Sequence, residues 1–242
     1  MVAIYVSWAV SGAVLLILAI IAGIYANKRI DGILIDHRGR YSLTHFQLVL
    51  WTLTIISLLS GVFFGRLVHG VANPLDITIP KPVLGLFAIS LASGVTATAV
   101  KRTKDRTNAS TISVSGGNDN PPRLAQIVLE EEGTFADQVV DVSKFQGFVI
   151  TILLVIVYIA VSVNTIGATL SPRGATLPTL SGSWLILLAI SHGAYVTAKV
   201  PPSAGTADPS VEARNENPDE FRVQKRHQAP AAKAAPPLQR AA

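Results

Sequence analysis

The 242-residue chain has no cysteine, a single methionine and only 14% charged residues. Without cysteine there can be no disulfide framework, no thiolate metal site and no thiol nucleophile. Soluble domains carry about a quarter charged residues, so the shortage of charge argues against an ordinary water-soluble globule. Catalytic signatures are missing as well. No Gly-x-Ser-x-Gly or His-Glu-x-x-His occurs, and the Ser115-Gly116-Gly117 run is not followed by the Gly-Lys-Ser/Thr of a phosphate loop. His37 and His45 with Asp36 lack a metal-ligand spacing. An enzyme is not expected, nor is a cofactor.

Apolar residues take the place of charge. They make up 50% of the chain, and mean hydropathy is +0.45. A bilayer-crossing helix needs about 20 apolar residues. Five stretches approach or exceed that length: Val2–Ala26, His45–Val68, Val83–Val100, Gln146–Val163 and Gly182–Val200. The first lacks a basic leader and has a longer apolar run than a signal peptide, so it reads as a retained helix.

The net charge is +5 and the pI about 9.6, which could suggest nucleic acid. The placement of the basic residues gives a different explanation. Of the 20 lysines and arginines, Arg66, Lys81 and Arg173 lie at or between spans two and three or four and five. The other seventeen fall in residues 28–44, in 101–145 and from Lys199 onward, all on one side. By the positive-inside rule that side is cytoplasmic, with the amino terminus outside and the carboxyl terminus inside. No nucleic-acid partner is needed to explain the pI.

One phrase is written twice. AISLASGVTA (88–97) and AISHGAYVTA (189–198) share six of ten letters. Phe46-Gln47 and Phe145-Gln146 open the spans before them, ILID and VLEE precede those pairs, and each copy has a proline-bearing outer loop. The expected fold is therefore all-α: an integral bundle of five transmembrane helices, a first helix plus two parallel-repeat hairpins related about the membrane normal. The expected units are 1–27, a first transmembrane helix, and 28–100, repeat one with its lead-in. A flexible linker follows at 101–122, then repeat two at 123–200 and a disordered tail at 201–242, too poor in large apolar residues to fold. Within 123–145 the apolar spacing predicts a short strand or helix and then an amphipathic helix.

Small residues recur at i, i+4 and i+8 as Ala88, Ala92 and Thr96 and again as Ala189, Gly193 and Thr197; Gly61 and Gly65 add a second stripe. Such stripes allow close helix packing in lipid, so these eight are expected at helix contacts. His192, about 10 Å beneath the interface at 1.5 Å per residue, and Gln47 and Gln146 form a candidate intramembrane polar site. Their bland reading, as interhelical hydrogen-bond partners, is favoured. Glu130, Glu131, Glu132, Phe135 and Val139 form a candidate partner-binding patch on the cytoplasmic side, and their spacing does not suit a calcium loop.

GILIDHRGRYSLTHFQLVLWTL, EEGTFADQVVDVSKFQ and LLAISHGAYVTAK resemble recurring motifs of an uncharacterised family of bacterial multi-pass membrane proteins. The resemblance covers about residues 28–200. It implies the bacterial inner membrane and contributes no catalytic residue. The expected function is a membrane scaffold that holds a cytoplasmic protein assembly, with the bilayer, that assembly and a second copy of the chain as partners. The alternative is a small channel, transporter subunit or membrane-permeabilising effector.

Overall fold

The computed structural model describes residues 2–107, 115, 121–132, 136–169 and 174–200. Among these residues the secondary structure is helical, with two isolated antiparallel bridges and no strand. The helices are α1 (Val2–Asn27), α2 (Leu43–Val68), α3 (Lys81–Thr107), α4 (Val142–Ala168) and α5 (Gly182–Lys199). The first four are long and apolar enough to cross a membrane, which marks the chain as a membrane protein. α5, at 18 residues, interrupts its apolar run with Ser191, His192 and Lys199 and falls short of the others. The tail from residue 201 lies outside the described residues, as does most of the expected linker.

Large aliphatic side chains cover the outside of the bundle. Ile17, Leu18 and Ile21 on α1, Leu84 and Val95 on α3, Ile156 on α4 and Ile190 on α5 are each about half exposed or more. In water such a surface would aggregate; against lipid tails it costs nothing.

α2 contacts α3 and α4, and α5 contacts the same two helices, so α2–α5 close a ring. α1 stands outside it, mainly against α2. Gly61 and Gly65 make that contact possible. A Cβ on Gly61 would lie 2.6 Å from Trp8 Cα, and one on Gly65 2.9 Å from Ile4 Cα. The other stripe is turned differently. Ala88, Ala92, Thr96, Ala189, Gly193 and Thr197 are all on exposed faces, and nothing lies within 4 Å of a Cβ added to Gly193. The expected packing surface therefore faces outward. Helical periodicity places residues on a common face without saying which way that face points. α3 and α5 meet instead through Gly85 against Leu185 and through Ser93 against His192.

Two short lead-ins precede α2 and α4. Each has a 3-10 turn, Gly32–Leu34 or Leu124–Ile127, followed by a single antiparallel bridge, Ile35 to Tyr41 or Leu129 to Val140. In the first, Asp36 Oδ1 accepts from Arg38 N at 2.9 Å, and Gly39 takes the left-handed φ of 71° that closes the turn. In the second, the expected amphipathic helix is absent over its described part. Ala136–Gln138 form a turn with Asp137 at φ 66°, and α4 begins at Val142, capped by Asp141 accepting from Lys144 N at 3.1 Å. Backbone pairing of Glu130 N to Val139 O at 3.0 Å outcompetes a continuous helix there.

Candidate functional site

The basic helix ends and the two lead-ins meet in a cluster of buried charge. α3 runs past its apolar part so that Lys101, Lys104 and Asp105 sit in its last turns, and Lys199 ends α5. Cations suit these positions because a helix carboxyl end carries partial negative charge. Lys144 is the opposite case. It lies in the first turn of α4, where the dipole opposes a cation, and its side chain is fully buried. Something negative has to hold it there.

Glu131 supplies that charge. The residue is 2% exposed, and its carboxylate reaches Lys144 at 2.7 Å, Lys101 at 3.0 Å, Lys199 at 3.1 Å and Arg38 at 3.6 Å. Lys144 also donates to the Leu129 carbonyl at 2.7 Å. Burial alone would push the Glu131 carboxyl up, but Lys101, Lys144 and Lys199 together hold it well below the ordinary carboxylate range. Asp36 pairs with Lys101 from the other side at 3.0 Å. Arg38 is held by Asp105 at 2.6 Å and Glu132 at 3.1 Å, and Glu132 also takes Lys104 at 2.7 Å. Burial of Glu132 is likewise outweighed, chiefly by Lys104, so that its carboxyl is lowered. Arg40, 0% exposed, bonds Asp137 at 2.7 Å and the Glu130 carbonyl at 3.1 Å, fastening one lead-in to the other.

The three glutamates thus separate. Glu131 is an interior hub, Glu132 is half-buried and paired, and Glu130 offers its backbone to the Val139 and Arg40 contacts. In extended backbone successive side chains take opposite sides, so the middle one turns inward. The acidic run, expected as a solvated or partner-facing patch, instead has Glu131 and Glu132 paired with cations of the chain itself. Val139 is exposed, as are Val140 and Val142 next to it in sequence and Leu124 at the start of the lead-in's 3-10 turn, while Phe135 lies outside the described residues.

The intramembrane candidates separate too. Gln47 is buried and donates to Thr151 Oγ1 at 2.8 Å and to the Gly147 carbonyl at 3.3 Å, tying α2 to α4. Gln146, which follows Phe145 as Gln47 follows Phe46, is exposed. His192 is 3% exposed; its Nδ1 lies 2.5 Å from Ser93 Oγ, and its buried Nε2 makes no hydrogen bond. Thr44 donates to the Tyr195 hydroxyl at 3.3 Å nearer the ionic cluster. Away from it the core turns apolar, with Ile55, Leu58, Leu86, Leu154 and Leu188 filling the ring. At the far end Arg66 donates to the carbonyls of Asp76 and Ala175, joining the α2–α3 loop to the α4–α5 loop.

Sequence reasoning missed Arg38, Lys101, Lys144 and Lys199 as parts of one site. The available signal was Lys144, a lysine at the mouth of an apolar helix with an acid at the end of the preceding lead-in. Among the described residues no cluster of three or more His, Asp or Glu side chains could hold a metal ion. The contacts of the site are electrostatic, and they hold helix ends together. Compared with known proteins, the chain matches no family model, no curated protein and no solved structure.

Proposed function

We propose that this chain is a five-span scaffold of the bacterial inner membrane that holds a cytoplasmic protein assembly at the lipid surface. In this reading α5 is the fifth span, the basic end is cytoplasmic, and α2–α3 and α4–α5 with their lead-ins are two parallel copies of one unit. The ring of contacts, the paired lead-ins and the convergence of Asp36 and Glu131 on Lys101 support the duplication.

One observation carries the functional reading. Glu131 fastens the second lead-in to the ends of α3, α4 and α5, and the same lead-in leaves Leu124, Val139 and Val140 exposed, with Val142 exposed at the start of α4. A segment fixed by buried charge with an apolar edge left open is suited to dock a partner without paying much ordering entropy. The partner contact thus moves from the glutamates to that edge. The apolar layer of Leu58, Leu86, Leu154 and Leu188 argues against a continuous polar path through the ring. The channel reading rests on His192, whose buried Nε2 lacks a partner.

Photo-crosslinkers placed at Leu124 and Val139 in native membranes test the scaffold. Protein adducts of one defined mass are expected at both sites. Adducts to lipid alone, or a proton flux through purified protein in liposomes that His192→Leu abolishes, would overturn it.

A further inference from the structure

Towards the basic end α1 and α2 part. At the other end they touch closely, Gly61 against Trp8 and Gly65 against Ile4. Beyond Gly12, which meets Ser57, the contact opens into two adjoining crevices of about 220 and 340 Å³. Ala19, Ile33, Val49 and Leu53 line both. Leu16, Ile20 and Phe46 are among the other walls of the first, and Leu15, Leu18 and Leu48 among those of the second. Asp31 and Thr52 are the only polar residues lining either crevice. At the basic end the first crevice is floored by Ile30 and Leu34, where Gly23 and Gly32 bring the chain back against α1.

We propose that these twin crevices bind one anionic diacyl phospholipid of the surrounding membrane, with an acyl chain in each and the headgroup phosphate against Lys28 and Arg29. The walls decide the chain chemistry. With one polar residue in each lining, neither crevice offers the two to four polar partners that an ordered water needs, and both lie beside the exposed aliphatic residues Ile17, Leu18 and Ile21 of α1. Two adjoining spaces sharing four wall residues match a molecule with two joined chains. Charge decides the headgroup. Lys28 and Arg29 follow directly on α1, and both are exposed. The one nearby carboxylate, Asp31, already accepts from Arg29 at 2.9 Å and from the Tyr41 hydroxyl. Two cations against one engaged anion leave a net positive mouth at the headgroup level, the arrangement that selects anionic lipid.

The test uses the full chain, reconstituted in nanodiscs of phosphatidylglycerol or of phosphatidylcholine, extracted into mild detergent and weighed by native mass spectrometry. Wild type should keep one phosphatidylglycerol per chain and retain it at least several-fold better than phosphatidylcholine. The K28Q/R29Q double variant should lose about fivefold per charge removed, and bind the two lipids alike. Ala19→Phe, which fills both crevices, should lose both lipids; Ala22→Phe, which narrows the second alone, checks the result if the first variant does not fold. The proposal fails if wild type keeps no lipid or keeps both equally, or if both filling variants retain lipid as wild type does. It also fails if the tight-bound species is a second copy of the chain.

Discussion

Glu131→Gln keeps the shape of the side chain and removes its charge. Lys101 would still have Asp36 at 3.0 Å, and Arg38 would still have Asp105 and Glu132. Lys144 and Lys199 would lose the one carboxylate that the described residues place within ion-pair distance of each. Two buried ammonium groups would then face each other and Lys101 uncompensated. Breaking a buried pair by deleting one partner costs about 3–5 kcal/mol. Because the second lead-in docks as a local unit, the loss should appear there before the apolar ring unfolds. Amide exchange over residues 124–132, followed in detergent by mass spectrometry, should speed up about a hundred- to several-thousand-fold, at about 1.4 kcal/mol per decade. Glu130→Gln is the control and should change exchange by less than about threefold. Acceleration below tenfold in Glu131→Gln would show that the lysines are held by something other than this carboxylate, and the account of the cluster would be wrong.

The same group fixes a pH dependence. The Glu131 carboxyl is lowered in the folded state from an ordinary value of 4.5. Its stabilisation is therefore complete above that value and is lost as pH falls through the lower, folded one. Glu132 has the same sign, as does Asp31, which the Arg29 hydrogen bond lowers to about 2. Exchange in residues 124–132 should be flat from pH 7 to 5 after correction for intrinsic rates, and should rise only below about 4.5. A rise on the alkaline side of that window, between pH 5 and 7, would contradict the assignment.

Three further outcomes can be measured. Gly61→Ala should cost about 1–3 kcal/mol in detergent unfolding followed by tryptophan fluorescence, because its methyl would meet the Trp8 backbone; Gly193→Ala should change nothing beyond about 0.5 kcal/mol. Gln47→Leu should cost about 0.6–1.7 kcal/mol by the same assay, the worth of an interhelical hydrogen bond in a membrane, whereas Gln146→Leu should be neutral. Topology reporters fused after residues 75 and 170 should report an external location, and fusions at 115 and in the tail a cytoplasmic one; an external signal at 115 would refute the orientation.

Helix positions were legible because the apolar runs are long, but their ends were not. Hydropathy locates the part of a helix that suits lipid. α3 continues from Val100 through Lys101–Thr107, and α4 starts at Val142, four residues before the apolar run was expected to begin. Those extra turns carry Lys101, Lys104, Asp105 and Lys144 into the ionic cluster, so the misplaced ends and the missed site have one cause. Glu131 was hidden for another reason. Three consecutive acids read as solvated when each is considered alone, and burying the middle one depends on cations 13 or more residues away in the chain, Lys144 among them. Lys101 is 30 positions from it and Lys199 is 68. Gly61 and Gly65 were placed at a helix contact by spacing, and they do face α1. Ala88, Ala92, Thr96, Ala189, Gly193 and Thr197 had the same spacing and face outward. Spacing alone could not separate the two cases.

That outward stripe raises the question of what holds α3 to α5, since burying apolar surface gains little between helices in lipid. Along their length they pack closely, with Gly85 against Leu185, apolar side chains of both in one core and a hydrogen bond between Ser93 and His192. At the basic end, Lys101 of α3 and Lys199 of α5 both bind Glu131, with side chains nearly out of reach of solvent. Two like-charged helix ends, which would repel each other, are thus joined through a carboxylate that belongs to neither helix. α4 joins the same carboxylate through Lys144. At that end one residue of a lead-in adds an ionic tie among α3, α4 and α5 to the apolar packing of the ring. It follows that the lead-in and the ring should be lost together at that end and separately at the other. Glu131→Gln should loosen α3, α4 and α5 near Lys101, Lys144 and Lys199, while leaving intact the α2–α3 and α4–α5 loops that Arg66 joins through the Asp76 and Ala175 carbonyls.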